Sequence, residues 1–263
     1  MRRGNYYFSF LFFLLTFEVM RDVYIQRTGN KFLSVNCYEA AAGFGQMGYN
    51  VLGFENPGEI NHSTNPIVVG GINTIRQVFN DLRILQPGLD NPHECLPGYL
   101  GRNVLEMTFF EMEEYSTMGD VFPFFIKPLR DHKLFTGYVV RSKHDLLQAK
   151  LRCKPESKLI VSQCVDFVSE YRCFVLNGRL IGSKNYTGDF TISPDYNIIE
   201  SAIRDYKIQP IAYSIDFGIT SDGNTLLIEM NDGFGLSAYG LNKIAYCKML
   251  EARWDEITKK MLI

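Results

Sequence analysis

Two hydrophobic periods alternate along residues 20–104, and their order predicts a small α/β domain. Short apolar runs predict strands at residues 23–25, 50–54 and 66–70. Apolar positions at helical spacing predict helices at residues 34–48 and 74–85, the second ended by Pro87-Gly88. Because strands that alternate with helices usually pair in parallel, we expect a parallel sheet here.

Strand patterns dominate the rest of the chain, residues 105–263. Strands are predicted at residues 124–128, 138–140 and 159–163, and helices at residues 143–151, 197–206 and 242–261. Two hairpins are predicted, one joining 171–176 to 179–183 through Asn177-Gly178 and one joining 212–219 to 225–231. The predicted fold class is therefore mixed, α/β (α+β), with an N-terminal α/β domain over residues 20–104 and a larger domain over residues 105–263.

Residues 1–19 form an apolar N-terminal extension that has more than one interpretation. A basic start followed by the aromatic and leucine-rich run of residues 6–17 resembles a signal peptide. The run is shorter than the roughly 20 residues that cross a bilayer, and no small-residue cleavage pattern follows it. We favour translation from Met20, or a buried additional segment, over secretion, and we expect a cytoplasmic protein.

Composition and charge narrow the classes of function. The 263 residues are 46% hydrophobic and 21% charged, which is typical of a globular protein. With 27 Lys and Arg against 29 Asp and Glu, the net charge is −2, so neither nucleic acid nor a membrane surface is an expected partner. The six cysteines have neither CxxC spacing nor a histidine at metal-ligand spacing, so we expect reduced thiols and no zinc site.

A cluster of oxygen-bearing side chains is predicted on the second hairpin. Strand alternation places Asp216 on the face opposite its apolar neighbours, and it places Glu229 and Asn231 on one face of the returning strand. With ordinary hairpin register, Asp216 and Glu229 face the same side. Two carboxylates and an amide oxygen suit Mg²⁺. The alternative is a solvated polar face, which explains Asp216 alone better than it explains polar residues inside an apolar run.

Cationic side chains lie on other predicted strands. Lys127 ends an apolar strand, where a lysine can neutralise phosphate or, alternatively, protect an edge strand from pairing. Glu170 and Arg172 share a face, and Lys184 follows on the partner strand of that hairpin. Arg172 and Lys184 could stabilise a transferring phosphoryl group, or form a surface charge network with Glu170.

Several common catalytic motifs are absent from the sequence. It contains no Gly-x-x-x-x-Gly-Lys-Ser/Thr loop, which excludes a P-loop enzyme, and no Gly-x-Ser-x-Gly elbow. The four histidines are scattered, so a nucleophile relay through histidine has little support.

Taken in order, these strands and charges resemble the ATP-grasp superfamily over about residues 105–250. The likeness is carried by Phe-Phe-Ile-Lys127-Pro, the hinge-like strand 159–165, Glu170-Tyr-Arg172, the basic Lys184 and the pattern Asp216…Glu229-Met-Asn231. The chain is most similar to the compact, divergent members related to the ribosomal-protein glutamate ligases. The resemblance implies an ATP-grasp fold, in which two α+β subdomains clamp a nucleotide, preceded here by the small N-terminal domain.

The resemblance also implies roles for these residues. Lys127 is implied to contact the ATP phosphates, and Glu170 to lie near the ribose. Gln163 is implied to lie near the adenine, whose edge the backbone of Cys164 and Val165 would bind. Stabilisation of the phosphoryl group or an acylphosphate is implied for Arg172 and Lys184. Mg²⁺ coordination is implied for Asp216, Glu229 and Asn231.

The implied reaction joins a carboxylate to an amine after ATP has activated the acid as an acylphosphate. The expected partners are ATP, a carboxylate and an amine, with a peptide or protein as one possible source of the acid. Two alternatives stay open: a nucleotide-binding regulatory or interaction module without ligase chemistry, and a small-molecule kinase.

The loop after Lys127 departs from the family pattern. It has one glycine, Gly137, where relatives have several. A glycine-rich lid lets backbone N–H groups approach phosphate. Here Arg130, Lys133 and Thr136 are expected to replace those contacts, unless the lid is degenerate.

Overall fold

The computed structural model of the chain describes residues 20–88, 91–119, 121–129 and 134–259. The extension of residues 1–19 and the lid residues Arg130 and Lys133 lie outside the described residues, so their interpretation stays a prediction. The described chain forms three sheets with helices packed against them, which confirms the predicted mixed class. None of the described helices is both long enough and apolar enough to cross a membrane.

The first sheet is formed by the N-terminal part of the chain. Its elements are β1 (Asp22–Thr28), β2 (Lys31–Phe32), α1 (Val35–Gln46), β3 (Asn50–Phe54), β4 (Ile67–Val69) and α2 (Ile72–Asp81). Strands β3 and β4 flank β1 in parallel, as predicted, while the short β2 turns back antiparallel from the end of β1.

Helix α2 ends four residues before its predicted end. Arg83 takes a left-handed φ of 57°, which breaks the helix. The backbone N–H of Ile84 then donates to the carbonyl of Phe79 at 2.8 Å, and the Ile84 side chain turns into the core. The helical spacing therefore overran the helix: Leu85 fits the period but is 93% exposed beyond the turn, whereas Ile84 takes the buried position.

The second sheet is antiparallel, with strand order β5-β8-β6-β7. Its region contains α3 (Pro92–Cys95), β5 (Val104–Thr108), α4 (Phe109–Tyr115), β6 (Phe124–Pro128), β7 (Tyr138–Val140), α5 (Leu146–Lys150) and β8 (Lys158–Gln163). The predicted pairing of β6 with β7 is confirmed. The sequence patterns did not predict α3, β5 or α4.

The third sheet is also antiparallel, with strand order β10-β9-β11-β12. Its region contains β9 (Phe167–Leu176), β10 (Arg179–Gly188), α6 (Tyr196–Asp205), β11 (Ala212–Thr220), β12 (Thr225–Asp232) and α7 (Lys243–Lys259). Both predicted hairpins are confirmed, β9 with β10 and β11 with β12.

The last helix completes the N-terminal core. Trp254 of α7 stacks on Phe79 of α2 at 5.6 Å between ring centroids, and both belong to the core cluster that contains β1, β3 and β4. Arg253 forms a bidentate pair with Asp232 at the end of β12. The N-terminal sheet is thus held to the third sheet by the C-terminal helix as well as by the connecting chain.

Candidate active site

Four charged side chains form one row across the third sheet. The register pairs Lys184 of β10 with Arg172 of β9, Arg172 with Asp216 of β11, and Asp216 with Glu229 of β12. Directly opposed residues lie on the same face of a sheet. The prediction that Asp216 and Glu229 face the same side is therefore confirmed, and the row has two cations at one end and two carboxylates at the other.

The two central members of the row are paired with each other. Arg172 Nε and Nη2 donate to the carboxylate oxygens of Asp216 at 3.0 and 2.7 Å, and Asp216 is 1% exposed. The solvated face considered from the sequence is therefore wrong for Asp216. Burial raises the pKa of Asp216 to about 6, against the lowering effect of the Arg172 guanidinium.

Glu229 and Asn231 lie at the accessible end of the row. The Glu229 side chain is 41% exposed, and one of its oxygens accepts from Asn231 Nδ2 at 3.2 Å and lies 3.9 Å from Arg172. Two carboxylates and an amide oxygen are donors that fit Mg²⁺. Because Asp216 already accepts three hydrogen bonds from Arg172, a cation would have to share its carboxylate with the guanidinium.

Lys127 lies across the site, on the second sheet. It occupies β6, which pairs with β7 on one side and β8 on the other, so the edge-strand alternative is wrong. Burial lowers the pKa of the Lys127 ammonium group, while Glu229 acts in the opposite direction. The structure gives Lys127 no ion pair with any residue that it describes.

Arg102 is a second cation in this wall, and the sequence analysis missed it. Its guanidinium donates to the carbonyls of Leu100 and Leu227 at 3.0 and 2.8 Å and has no carboxylate partner within the described ranges. Burial lowers its pKa. The one local signal is the preceding Gly101, which has φ +60° and where a Cβ would lie 2.6 Å from Leu226.

A cavity of about 330 Å³ separates the second and third sheets. Its lining includes the five residues to which the resemblance assigned nucleotide contacts, Lys127, Gln163, Cys164, Val165 and Glu170, together with Arg102 and Glu229. Apolar side chains such as Val139 and Ile160 complete the wall. The Gln163 side chain accepts from the backbone N–H of Asn103 at 3.0 Å, which fixes it beside the start of β5.

Glu170 is held by an aromatic pair that the sequence analysis also missed. Tyr186 donates its hydroxyl to Glu170 at 2.6 Å and stacks on Tyr239 at 5.3 Å between ring centroids. Burial, followed by the hydrogen bond to Glu170, raises the pKa of Tyr186. Arg172 lies 5.0 Å from the Tyr239 ring centroid, a cation–π distance. No local pattern distinguishes these tyrosines, because their partners come from other strands.

Among the predicted site residues, Lys184 has the weakest structural link to the cavities. Its register position places it beside Arg172, but it lines neither the cavity between the sheets nor its neighbour. Thr136, the described member of the expected lid contacts, is exposed. Contacts of either residue with a phosphate stay predictions.

A second, larger cavity of about 750 Å³ adjoins the first. The two share Pro92, Lys127 and Glu229 as lining residues. Arg172, Asn231 and Asp232 line the larger cavity at the third sheet, and it extends to Arg76 of α2 in the N-terminal region. A ligand that passes from one cavity to the other would cross the ends of Lys127 and Glu229.

A family profile described as the ATP-grasp domain, R2K clade family 2, matches residues 99–249, which is more than half of the chain. The chain belongs to the ATP-grasp family. Its resemblance to that family is therefore confirmed, and membership makes it an ATP-dependent ligase of the ATP-grasp type.

Solved structures of ATP-grasp enzymes share this fold at low sequence identity. The chain is similar to D-cycloserine synthetase DcsG, with 10% identity, a TM-score of 0.60 and coverage of 90% of this chain and 99% of that one. It is similar to D-alanine–D-alanine ligase from Bacillus anthracis, with 15% identity, a TM-score of 0.54 and coverage of 92% and 98%.

A third similar structure contains ligands. It is the ATP-grasp ligase PsnB in complex with a phosphomimetic variant of minimal precursor, Mg and ADP, with 10% identity, a TM-score of 0.55 and coverage of 89% and 97%. No curated protein is similar enough in sequence to count as a relative. The ATP-grasp fold therefore extends over about nine-tenths of the chain, including its N-terminal region.

Proposed function

We propose that the protein is an ATP- and Mg²⁺-dependent carboxylate–amine ligase that acts through an acylphosphate. The observation that carries this proposal is the pair of cations Lys127 and Arg102, which face one cavity without an ion pair inside the described parts of the chain. Cations without a counterion need an anion to offset the cost of their burial. The phosphates of ATP supply it.

The nucleotide would lie between the second and third sheets. Lys127 and Arg102 would bind its phosphates, and the apolar wall at Val139 and Ile160 would contact adenine. The backbone of Cys164 and Val165 would bind the adenine edge, beside Gln163. Glu170, which Tyr186 holds in place, would accept from a ribose hydroxyl.

Two displacements make up the proposed reaction. A carboxylate oxygen of the acid attacks the γ-phosphorus, the bond to the β–γ bridging oxygen breaks, and ADP leaves. The amine nitrogen then attacks the acyl carbon, the bond from that carbon to the phosphate oxygen breaks, and inorganic phosphate leaves while the nitrogen loses a proton to solvent. Arg172 and Lys184 would stabilise the negative charge on the transferring phosphoryl group and on the acylphosphate.

Mg²⁺ fits the donor set of Glu229, Asn231 and the shared carboxylate of Asp216. When bound there, it would neutralise charge on the phosphates. The guanidinium of Arg172 holds the Asp216 carboxylate in place through hydrogen bonds at 3.0 and 2.7 Å.

The acid and the amine would meet in the larger cavity, beside the shared residues Lys127 and Glu229. That cavity is open and polar enough for an amino acid or the end of a peptide. A peptide or protein acid is consistent with the likeness to PsnB, whose structure contains a precursor. The number and spacing of the cysteines, which do not suggest a disulfide framework, are consistent with a cytoplasmic location.

Hydroxylamine tests the proposal without knowledge of the amine. The full chain is incubated with ATP, MgCl₂, hydroxylamine and pools of amino acids or short peptides, and hydroxamate, ADP and phosphate are measured. A ligase forms all three in equal amounts and only when an acid is present. ADP with a phosphorylated acid and no free phosphate would identify a kinase, and thermal stabilisation by ATP without ADP would identify a binding module.

A matched pair of variants tests the metal assignment. Glu229→Gln removes a proposed ligand charge, and we expect loss of hydroxamate with a melting temperature near that of the wild type. Glu200→Gln makes the same chemical change on an exposed face of α6 and should leave activity intact. An active Glu229→Gln protein would contradict the metal site.

A further inference from the structure

The larger cavity ends at a cation that the proposed reaction does not use. Arg76 lies on α2, is half-buried and lines this cavity. The structure gives its guanidinium no hydrogen bond or ion pair to any described residue, although it has five N–H donors. A guanidinium in this situation is suited to a planar anion such as a carboxylate, which it can bind through two parallel hydrogen bonds.

The lining also contains the carboxylate of Glu94, which accepts from Asn91 Nδ2 at 3.4 Å; the other charges of this cavity are matched or belong to the reaction centre. Asp232 accepts from Arg253 Nε at 2.7 Å, and Arg172 is paired with Asp216. Lys127 and Glu229 lie at the border with the nucleotide cavity. Arg76 is therefore the cation of the lining that remains for a substrate group away from the γ-phosphate.

Contacts between the N-terminal region and the loop that follows β12 hold the two sides of this cavity together. Asn36 of α1 donates to Ser237 Oγ at 3.0 Å and accepts from the backbone N–H of Ala238 at 3.1 Å. Gly235 packs so closely on α2 that a Cβ there would lie 2.7 Å from Ile72 Cδ1. These contacts fix α2, and with it Arg76, relative to the loop that follows β12.

We propose that Arg76 binds a second carboxylate of the acid substrate, one that is not activated. The inference rests on the proposed ligase function and narrows its substrate class to acids with two carboxylates, such as a dicarboxylate or an amino acid whose side-chain carboxyl reacts. One carboxylate lies at the Lys127 and Arg172 end, and the other reaches Arg76. The amine is a less suitable occupant of the Arg76 end, because an ammonium group is repelled by a guanidinium.

Binding of glutarate and butyrate tests the proposal, since the two acids differ by one carboxylate. Their affinities for the full chain are measured by calorimetry with Mg-ADP present, which occupies the phosphate subsite. We expect the wild type to prefer glutarate by roughly 10- to 100-fold, the range for hydrogen bonds to charged groups. Arg76→Gln should abolish the preference, Arg76→Lys should retain part of it, and the exposed Arg179→Gln should leave it unchanged.

The outcomes separate this inference from the proposed function. Equal binding of the two acids by the wild type, or a preference that survives in Arg76→Gln, would overturn the role of Arg76. The ligase proposal is judged separately, by hydroxamate formation and by Mg-ATP binding. A failure there together with an Arg76-dependent glutarate preference would leave the dicarboxylate site in place and remove the ligase chemistry.

Discussion

Arg172 and Lys127 are cations that line the same cavity from opposite sheets, yet their surroundings differ. Arg172 is compensated by a buried carboxylate at 2.7 Å, whereas Lys127 has no ion pair among the residues that the structure describes. A compensated charge stabilises the fold, because its removal leaves the partner charge buried and unpaired. An uncompensated charge costs stability and is retained where a ligand completes it. The comparison indicates that Arg172 supports the fold of the site as well as facing the cavity, whereas Lys127 serves mainly to bind a ligand.

The sharpest test of this contrast is the loss of Asp216. Asp216→Ala leaves Arg172 buried without its carboxylate, so we expect the free energy of unfolding to fall by about 3–5 kcal/mol. Urea denaturation measures it, with the exposed Glu156→Gln as a control that should change little. A loss below about 1 kcal/mol, the range of exposed pairs, would show that Arg172 finds other partners or solvent.

Lys127→Met tests the other side of the comparison. Because Lys127 forms no ion pair within the described parts of the chain, and Glu229 acts on it only from a longer distance, we expect the unfolding free energy to stay within about 0.5 kcal/mol of the wild type or to rise. We expect ATP affinity to fall roughly 10- to 100-fold, as for the loss of a charge-assisted contact. Denaturation and nucleotide titration are measured on the same sample. Large destabilisation with unchanged ATP binding would reverse the roles assigned to the two cations.

Tyr186→Phe removes a smaller support of the site. It deletes the hydrogen bond to Glu170 and keeps the ring that stacks on Tyr239. We expect a loss of about 1 kcal/mol in unfolding free energy. The KM for ATP should rise while kcat changes less, since Glu170 is proposed to contact the ribose. An unchanged KM would remove Glu170 from the nucleotide contacts.

The titration of Asp216 sharpens the comparison without a substitution. Its pKa is raised to about 6 by burial, so the folded state binds this proton more tightly than the unfolded state. Its contribution to stability is therefore fully present below the unfolded pKa, near 4, and is lost as the pH rises through about 6. The carboxyl ¹³C shift should titrate with a midpoint near 6, and Mg-ATP should lower it because a bound cation favours the carboxylate. A midpoint near 4 in the free protein would show that Arg172 outweighs burial.

Local signals in the sequence determined much of the fold. The strand patterns, with the Asn177-Gly178 turn for the first hairpin and the turn at residues 221–224 for the second, were enough to predict both hairpins, because strand pairing across a short turn depends on neighbouring residues. One local signal was present and missed: Thr108 and Glu111 form a capping box, with Glu111 accepting from Thr108 N at 2.7 Å, which starts α4. Strand β5 could not be predicted in the same way, because its half-exposed residues lack alternation and its pairing with β8 is long-range.

The sequence by itself also determined which charged residues share a face of the third sheet, since strand period and hairpin register place Asp216 beside Glu229. Tertiary structure alone decided which charges are satisfied. Arg172 meets Asp216 from a strand 44 residues away, Arg102 lies against the carbonyls of β12, and Arg76 reaches the cavity from another sheet's helix. The physical reason is that periodicity constrains only the direction in which side chains point along one strand or helix. Whether a charge is compensated depends on its distance to charged and polar groups that packing brings from other elements.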